Sequence, residues 1–589
     1  MKPAAILRVT ILGWLVAAGS SRSNAEEMDA KLNAFFKQYL EESFRMRPME
    51  ATGLGDHRFD HLLDDLSAKA RAGWVVYDRK TLEDLSRQVD FQKLSPAGKL
   101  DYQILQHELG KSLWLSENTH PFEQDPRVYS GYVSDSVFLL LTQSTQPKET
   151  NVANAIARMK QIPKVVAAAR ENLKNPSRVA TETAIRQNRG AIGFYEGELF
   201  EVAGQTPQVD ALREAAKPVA ACLKEYQEFL EKDLLARATG DWRLGKEKFA
   251  RKLETELDAG LSAGQVLAMA ESEFDRVERD MYVIARQLWS RYFPKRALPP
   301  DDAEGRHATI AEVLHAVAQE HGKPEDLTRD ARATVKEIQK FIRDRDILRL
   351  PEPDRCQVIE MPEFQRGNST AYLNSAPPLD PQAASMYAVS PPPKDWDAGR
   401  VKSLLEEYNS HMLQILTIHE AYPGHYVQLE YANRNPSLVR RVLGSGVYIE
   451  GWAVYTEQMM LDQGYGAGDL ALRLTQLKFY LRAVANTVLD HKMHCTAMTD
   501  DEALDLLMRR SFQSEGEARL KVIRSKQSSC QLSTYFVGRM AMYRLRQEVE
   551  RELGEKFDLG RYHEAVLEQG SVPVKYLPEL VRERLRGTR

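Results

Sequence analysis

The sequence predicts a mostly α-helical protein with one small antiparallel sheet late in the chain. Apolar residues recur at three- and four-residue spacing from Met28 to about Leu350, and β-branched runs are few. Pro and Gly fall mainly where segments should turn, as at Arg47-Pro48, Asn175-Pro176, Gly204 to Pro207 and Leu298-Pro299-Pro300. Between Arg355 and Pro393 the pattern changes to short runs bounded by Pro, Gly and Asn, which is how a small sheet announces itself.

Composition supports an ordinary globular chain: 43% of the 589 residues are hydrophobic and 28% charged. A net charge of −4, with Lys and Arg scattered, leaves no basic footprint for a nucleic-acid backbone, so nucleic acid is excluded as a partner. Cys222, Cys356, Cys495 and Cys530 lie too far apart for a CxxC zinc or redox pair. In an oxidising exterior they could pair, in any of three connectivities, but a core of this size needs no staples, so buried free thiols are the equal or better expectation.

Taken in order, residues 1–25 read as an export leader. Lys2 supplies positive charge, Val9 to Ala18 is a short apolar run, and Ser23-Asn24-Ala25 is a small-x-small cleavage site before Glu26. The run is too short to span a bilayer and no Cys follows it to carry a lipid, so a released periplasmic or secreted protein without stable membrane insertion is expected, the alternative being an uncleaved signal anchor. Residues 26–350 form an N-terminal helical region, illustrated by Leu32, Phe35, Phe36 and Tyr39 on one face. Residues 351–589 form a region carrying the sheet and the chemistry, in one continuous fold with the first.

The sheet is expected from Val358 to Pro362, Thr370 to Leu373 and Ser385 to Val389, with Pro391-Pro392-Pro393 as an extended connector. Its edge could take an extended peptide by strand addition, or the strands could be a structural hairpin. Leu404, Leu405, Tyr408, Met412, Ile415 and Leu416 then trace one face of a helix running into His419. Asn435-Pro436 ends that unit, Gly444 and Gly446 mark a turn, and a further helix from about Tyr448 carries Glu450, Val454, Glu457 and Leu461 on roughly one side. Thr499 to Glu502 reads as a capping box opening another helix.

The chemistry concentrates in His419-Glu420-Ala421-Tyr422-Pro423-Gly424-His425 and Glu450-Gly451-Trp452-Ala453. Zinc peptidases with an HExxH motif place two histidines one helical turn apart. Here the spacing is six, which on a regular helix lands the second side chain about 120° away from the first. Pro423 and Gly424 lie between the two, and a break there is needed to bring His425 round. With that break, His419, His425 and Glu450 make three ligands for Zn2+ with one position open, as in a catalytic site. Glu420 is then placed to take a proton from the attacking water and pass it to a leaving amine. His107-Glu108 has no second histidine near it and reads as helix surface.

These blocks, with Gln531 to Gly538 and the N-terminal stretch Ala51 to Asp60, resemble domain-of-unknown-function family 885, bacterial relatives of zinc metallopeptidases. The resemblance covers nearly the whole mature chain and implies a gluzincin-like helical fold with a deep cleft, of the kind found in thimet oligopeptidase, angiotensin-converting enzyme and carboxypeptidase Taq. The Glu-Gly-aromatic-Ala pattern is similar to the third-ligand helix of gluzincin aminopeptidases, which favours Glu450 over Glu457 as ligand. Two departures stand out. The family usually has another histidine where this chain has Tyr426, and Pro-Gly where it has Ser529-Cys530.

Peptide hydrolysis also needs a donor for the developing oxyanion, for which Tyr535 and His494 are the candidates. Asp490, one turn before His494, could instead orient an imidazole. Arg519, Arg524 or Arg366 could hold a substrate carboxylate through a bidentate fork. The expectation is an exported zinc-dependent peptidase of short peptides, of carboxypeptidase or oligopeptidase type. Its rivals are a zinc hydrolase of another amide, such as a modified amino acid or cell-wall peptide, and a non-catalytic helical peptide-binding protein.

Overall fold

The computed structural model describes residues 9–587 apart from 362–370, 381 and 394–395, with side chains from residue 24 onward. Arg366 therefore lies outside the described residues, as do the first eight residues of the expected leader. The fold is mostly helical with one three-stranded sheet. No described helix is long and apolar enough to cross a membrane.

The chain divides into two compact units. The first comprises Met1–Lys174, Gln187–Phe229 and Pro436–Leu443, and its described elements are all helical. Its family-like stretch is held by a buried polar network. Helix Pro48–Leu54 stops because Gly55 adopts φ 87°, a left-handed conformation that suits glycine. The chain then turns back so that Thr52 Oγ1 donates to Asp60 Oδ1 (2.6 Å) and Arg158 Nη2 donates to Thr52 Oγ1 (2.5 Å). Arg158 and Asp60 are both fully buried, and Arg158 also donates to the carbonyls of Leu62 and Ser136. Buried charge is tolerated because these donors and acceptors are satisfied. The stretch is a fold determinant of this unit.

The second unit comprises Asn175–Arg186, Leu230–Asn435 and Gly444–Arg589. Its strands are β1 (Cys356–Glu360), β2 (Ala371–Asn374) and β3 (Ser385–Val389), in the order β1-β3-β2. β2 pairs antiparallel with β3, but β1 pairs parallel with it, so the sheet is mixed rather than wholly antiparallel. β3 is the central strand, with Tyr387, Ala388 and Val389 all buried. Such a run has no in-out alternation, so neither strand order nor direction was legible from it.

Six helices frame the chemistry: α1 (Ser410–Glu420), α2 (His425–Asn433), α3 (Gly446–Asp462), α4 (Leu470–Cys495), α5 (Glu515–Gln527) and α6 (Thr534–Leu553). The helix expected to run from Leu404 into His419 is in fact two, Ala398–Glu407 and α1. Asn409 separates them, because its side chain accepts from the backbone N–H groups of His411 and Met412 and so caps a new helix. Ser445 does the same for α3, accepting from Tyr448. The Thr499–Glu502 capping box is present as expected.

α3 and α6 cross with almost no side chain between them. A Cβ on Gly451 would lie 2.4 Å from Gly538 Cα, and one on Gly538 would lie 1.9 Å from the carbonyl oxygen of Val447. Glycine is required at both positions for the helices to approach this closely. α4 is buried along most of its length, polar residues such as Gln476, Asn486 and Asp490 included, with Tyr480 donating to Glu273 Oε1 at 2.8 Å on the neighbouring helix Ala263–Tyr292. All four cysteines are free.

Candidate metal centre and its cavity

The helix bearing His419 stops after Glu420. Ala421 leaves helical geometry (φ −114°, ψ −80°), and Gly424 (φ −70°, ψ −133°) immediately precedes the first residue of α2, His425. A Cβ on Gly424 would lie 1.9 Å from His419 O and 2.3 Å from Ile418 O, so the chain folds back against its own last turn. Trp452 Nε1 donates to Pro423 O at 2.8 Å, satisfying a carbonyl exposed by the break. The required interruption is thus present at Pro423-Gly424. It brings the His419 and His425 rings to a centroid distance of 4.7 Å at 87° to each other.

Three side-chain atoms converge there. Glu450 Oε2 lies 3.4 Å from His425 Nε2 and 3.8 Å from His419 Nε2, and the three residues present donor atoms all within 4.8 Å of one another. Ligands around a tetrahedral zinc at about 2.1 Å stand roughly 3.4 Å apart, so this spacing fits one ion. Glu450 Oε2 has no hydrogen-bond partner among the described residues although it is buried, which is what an atom reserved for a cation looks like. Imidazole, imidazole and carboxylate are zinc-type donors.

The electrostatics suit the same role. Burial, reinforced by the charge of His425, pulls His419 down to about 3, so its imidazole is neutral. For His425 burial works in the same direction, but the adjacent Glu450 carboxylate outweighs it and raises the group. Glu450 is held below the usual carboxylate range despite burial, chiefly by His425. On the far nitrogen of His419, Nδ1 meets Glu457 Oε1 at 2.7 Å. Glu457 is fully buried, and burial drives its carboxyl well above the usual range. Its contact with Nδ1 fixes the ring so that Nε2 faces the cluster.

Glu420 sits at the sheet. Leu373 N–H, on edge strand β2, donates to Glu420 Oε2 at 2.9 Å. Burial pushes the Glu420 carboxyl up to about 7, with His425 opposing and Glu450 adding to the shift. A carboxylate poised there can both accept and return a proton near neutral pH. Tyr535, one turn before Gly538 on α6, is held beside Glu450 by the close α3–α6 crossing. Burial first, then the charge of Glu450, pushes its hydroxyl up to about 12, which keeps it a donor.

His419, Glu420, Glu457 and Tyr535 open onto one cavity of about 840 Å³ that Phe479, Arg482, Lys521 and Arg524 also line. Phe479 places its ring against His419, edge to face at 5.9 Å.

His494 is not brought to this cavity. Its Nε2 donates to the carbonyls of Ser525 (2.9 Å) and Ser528 (3.0 Å), and its ring packs on Phe249 and Trp242. It fastens the end of α5 and cannot also meet an oxyanion. Asp490 faces Ser533, and His491 packs edge-on against Phe249, so neither orients a metal imidazole. Arg519 and Arg524 do line the cavity. Tyr426, at the place where the family resemblance leads one to expect a histidine, points away from the cluster. Its hydroxyl accepts from Arg355 N–H at 2.7 Å, and its ring packs on Tyr422. Cys530 takes a left-handed conformation (φ 73°) that a glycine would adopt without strain.

The partner of His419 is the residue that sequence reasoning weighed only as a lesser ligand. Glu457 lies seven residues after Glu450, two turns along the same helix face, and that spacing was the available signal.

The family described as bacterial protein of unknown function (DUF885) matches residues 48–581. The chain belongs to this family. Among solved structures it is similar to a candidate lipoprotein of unknown function from Shewanella oneidensis, with 30% identity and a TM-score of 0.79, covering 93% of this chain and 99% of that one. It also shares its fold with a candidate lipoprotein from Colwellia psychrerythraea, at 18% identity and a TM-score of 0.76, covering 95% of this chain and all of the other. No curated protein matches its sequence.

Proposed function

We propose that the protein is an exported zinc-dependent peptidase acting on short peptides. The observation that carries this reading is the convergence of His419 Nε2, His425 Nε2 and Glu450 Oε2, with His419 and the neighbouring Glu420 lining one cavity. A bound zinc supplies Lewis acidity to a scissile carbonyl and to water. The chain's own residues supply the rest. Glu420 takes a proton from the attacking water as its oxygen bonds to the carbonyl carbon, then delivers that proton to the nitrogen as the C–N bond breaks. Tyr535 donates to the oxygen on which negative charge develops. Glu457 keeps His419 oriented throughout. The leader-like residues 1–25 and the naming of both structural relatives as candidate lipoproteins support an exported location.

Purified protein prepared without chelators should hold about one zinc per chain. It should cleave members of a mixed peptide library read by mass spectrometry, and Glu420→Gln should lose turnover while keeping the metal. Absence of zinc, or an active Glu420→Gln variant, overturns the reading. Cleavage of cell-wall fragments with no cleavage of ordinary peptides would assign the same site to another amide.

A further inference from the structure

The cavity wall also carries several cations, and all but one of them have a hydrogen-bond or ion-pair partner among the described residues. Arg400 pairs with Asp397 at 3.7 Å, Arg482 with Glu517, and Arg519 with Glu515 at 2.7 Å. Arg524 Nη2 donates to the neutral amide oxygen of Gln531 at 2.8 Å. Lys521 is the exception. It is only 6% exposed and lines the cavity, yet it makes no hydrogen bond or ion pair with any described residue. Its charged neighbours are Arg482 and Arg524, of like sign, and Glu517, which Arg482 already engages. Burial, with the like charges of Arg482 and Arg524, pushes the Lys521 ammonium well below the usual lysine range, so an anion arriving at this cavity wall restores and holds its charge.

The position of this cation decides which anion. Gln531 bridges Arg524 to Tyr535, donating from Nε2 to the Tyr535 hydroxyl at 3.4 Å, and Tyr535 in turn meets Glu450. Lys521 and Arg524 lie one turn apart on α5, so Lys521 stands one turn from the relay of side chains that runs from Arg524 to the metal donors. That relay suits an anion held close to the bond being cut. We propose that Lys521, supported by Arg524, anchors the free C-terminal carboxylate of the substrate, so that the protein removes residues from peptide C-termini rather than cutting internally. This rests on the peptidase reading for its consequence, but the anchoring itself requires only binding.

The test is calorimetric binding to the full-length Glu420→Gln protein, which does not turn over its ligands. The probes are N-acetyl-trialanine as free acid, its C-terminal amide, and N-acetyl-Ala-Ala-Glu amide, whose single carboxylate is on the side chain. The free acid should bind about 10-fold or more tightly than either amide, since a charge-assisted contact is lost in both. Adding Lys521→Met should erase that preference while thermal melting stays cooperative, and adding Lys521→Arg should keep part of it. Arg524→Gln, at an exposed position, should lower the preference with no burden on folding, and it decides the matter if the Lys521 variants do not fold. Equal binding of acid and amide overturns the proposal, as does a preference untouched by these variants. Binding of the Glu amide as tightly as the free acid overturns the C-terminal assignment in favour of an acidic side chain. A protein without zinc or turnover that still prefers the free acid removes the peptidase reading and supports the anchor. A zinc-loaded, active enzyme indifferent to the terminus does the reverse.

Discussion

His419 and Glu457 meet at 2.7 Å, Nδ1 to Oε1, inside a protein interior from which both side chains have lost almost all contact with water. A buried carboxyl costs free energy unless something uses it, and here it fixes one ring nitrogen so that the other faces Glu450 and His425. Glu457→Gln keeps the shape but offers a weaker partner. Zinc affinity should fall by roughly 10- to 100-fold, as is typical when the partner of a metal-bound histidine is lost. Competition against a chelator of known affinity reads this directly. Unchanged zinc affinity would reduce Glu457 to a packing residue.

Gly424 and Gly538 make a matched pair of steric predictions. A methyl group at either would lie 1.9 Å from a backbone carbonyl oxygen, of His419 and Val447 respectively, and backbone cannot rotate away as a side chain can. Both alanine variants should therefore lose about 1–3 kcal/mol or more in denaturant unfolding. Their functional effects should differ. Gly424→Ala disturbs the break that presents His425 and should lower zinc stoichiometry. Gly538→Ala pushes α6 from α3 and should leave zinc bound while weakening turnover through Tyr535. Loss of zinc in both, or in neither, would break the link drawn between each glycine and its neighbour.

Much of this centre was legible before any coordinates, because its logic is local. Six-residue spacing demanded a break, and Pro423-Gly424 was the place for it. The helical class was equally legible from periodicity. What was lost is information that crosses the chain. Sheet order is hidden because a central strand such as Ser385–Val389, buried at all but Met386, carries no regular alternation, and Asn409 as a cap is masked by an otherwise continuous apolar pattern. His494 attracted attention as an Asp-His pair on one helix face. Only packing shows its ring committed to the carbonyls of Ser525 and Ser528. The unmatched charge of Lys521 is likewise invisible in sequence, since it depends on which carboxylates the neighbouring arginines have already taken.

Tyr535 should prove a transition-state residue rather than a binding one. Its hydroxyl stays protonated far above neutral pH and stands beside Glu450, so it can donate to charge that develops during the reaction. Tyr535→Phe should lower kcat by about 100-fold or more, with KM and zinc content little changed. An increase confined to KM would mean that the hydroxyl serves ground-state binding instead.

Asp490 supplies a stability prediction independent of the metal donors. It is fully buried, Ser533 Oγ reaches its Oδ2 only at 3.4 Å, and Oδ1 has no hydrogen-bond partner among the described residues. Burial pushes its carboxyl up to about 7, with the charge of Lys252 pulling the other way. In the unfolded chain the same group releases its proton near 4. The folded state therefore retains a proton that the unfolded state has lost. The stability associated with this group is fully present below about pH 4 and declines as pH rises through about 7, by an amount on the order of 4 kcal/mol. Asp490→Asn keeps the volume and cannot ionise. Denaturant midpoints of the two proteins, measured at pH 5 and pH 8, should show the variant gaining on the parent at the higher pH. A difference that is the same at both values would mean that Asp490 ionises in its site at little cost.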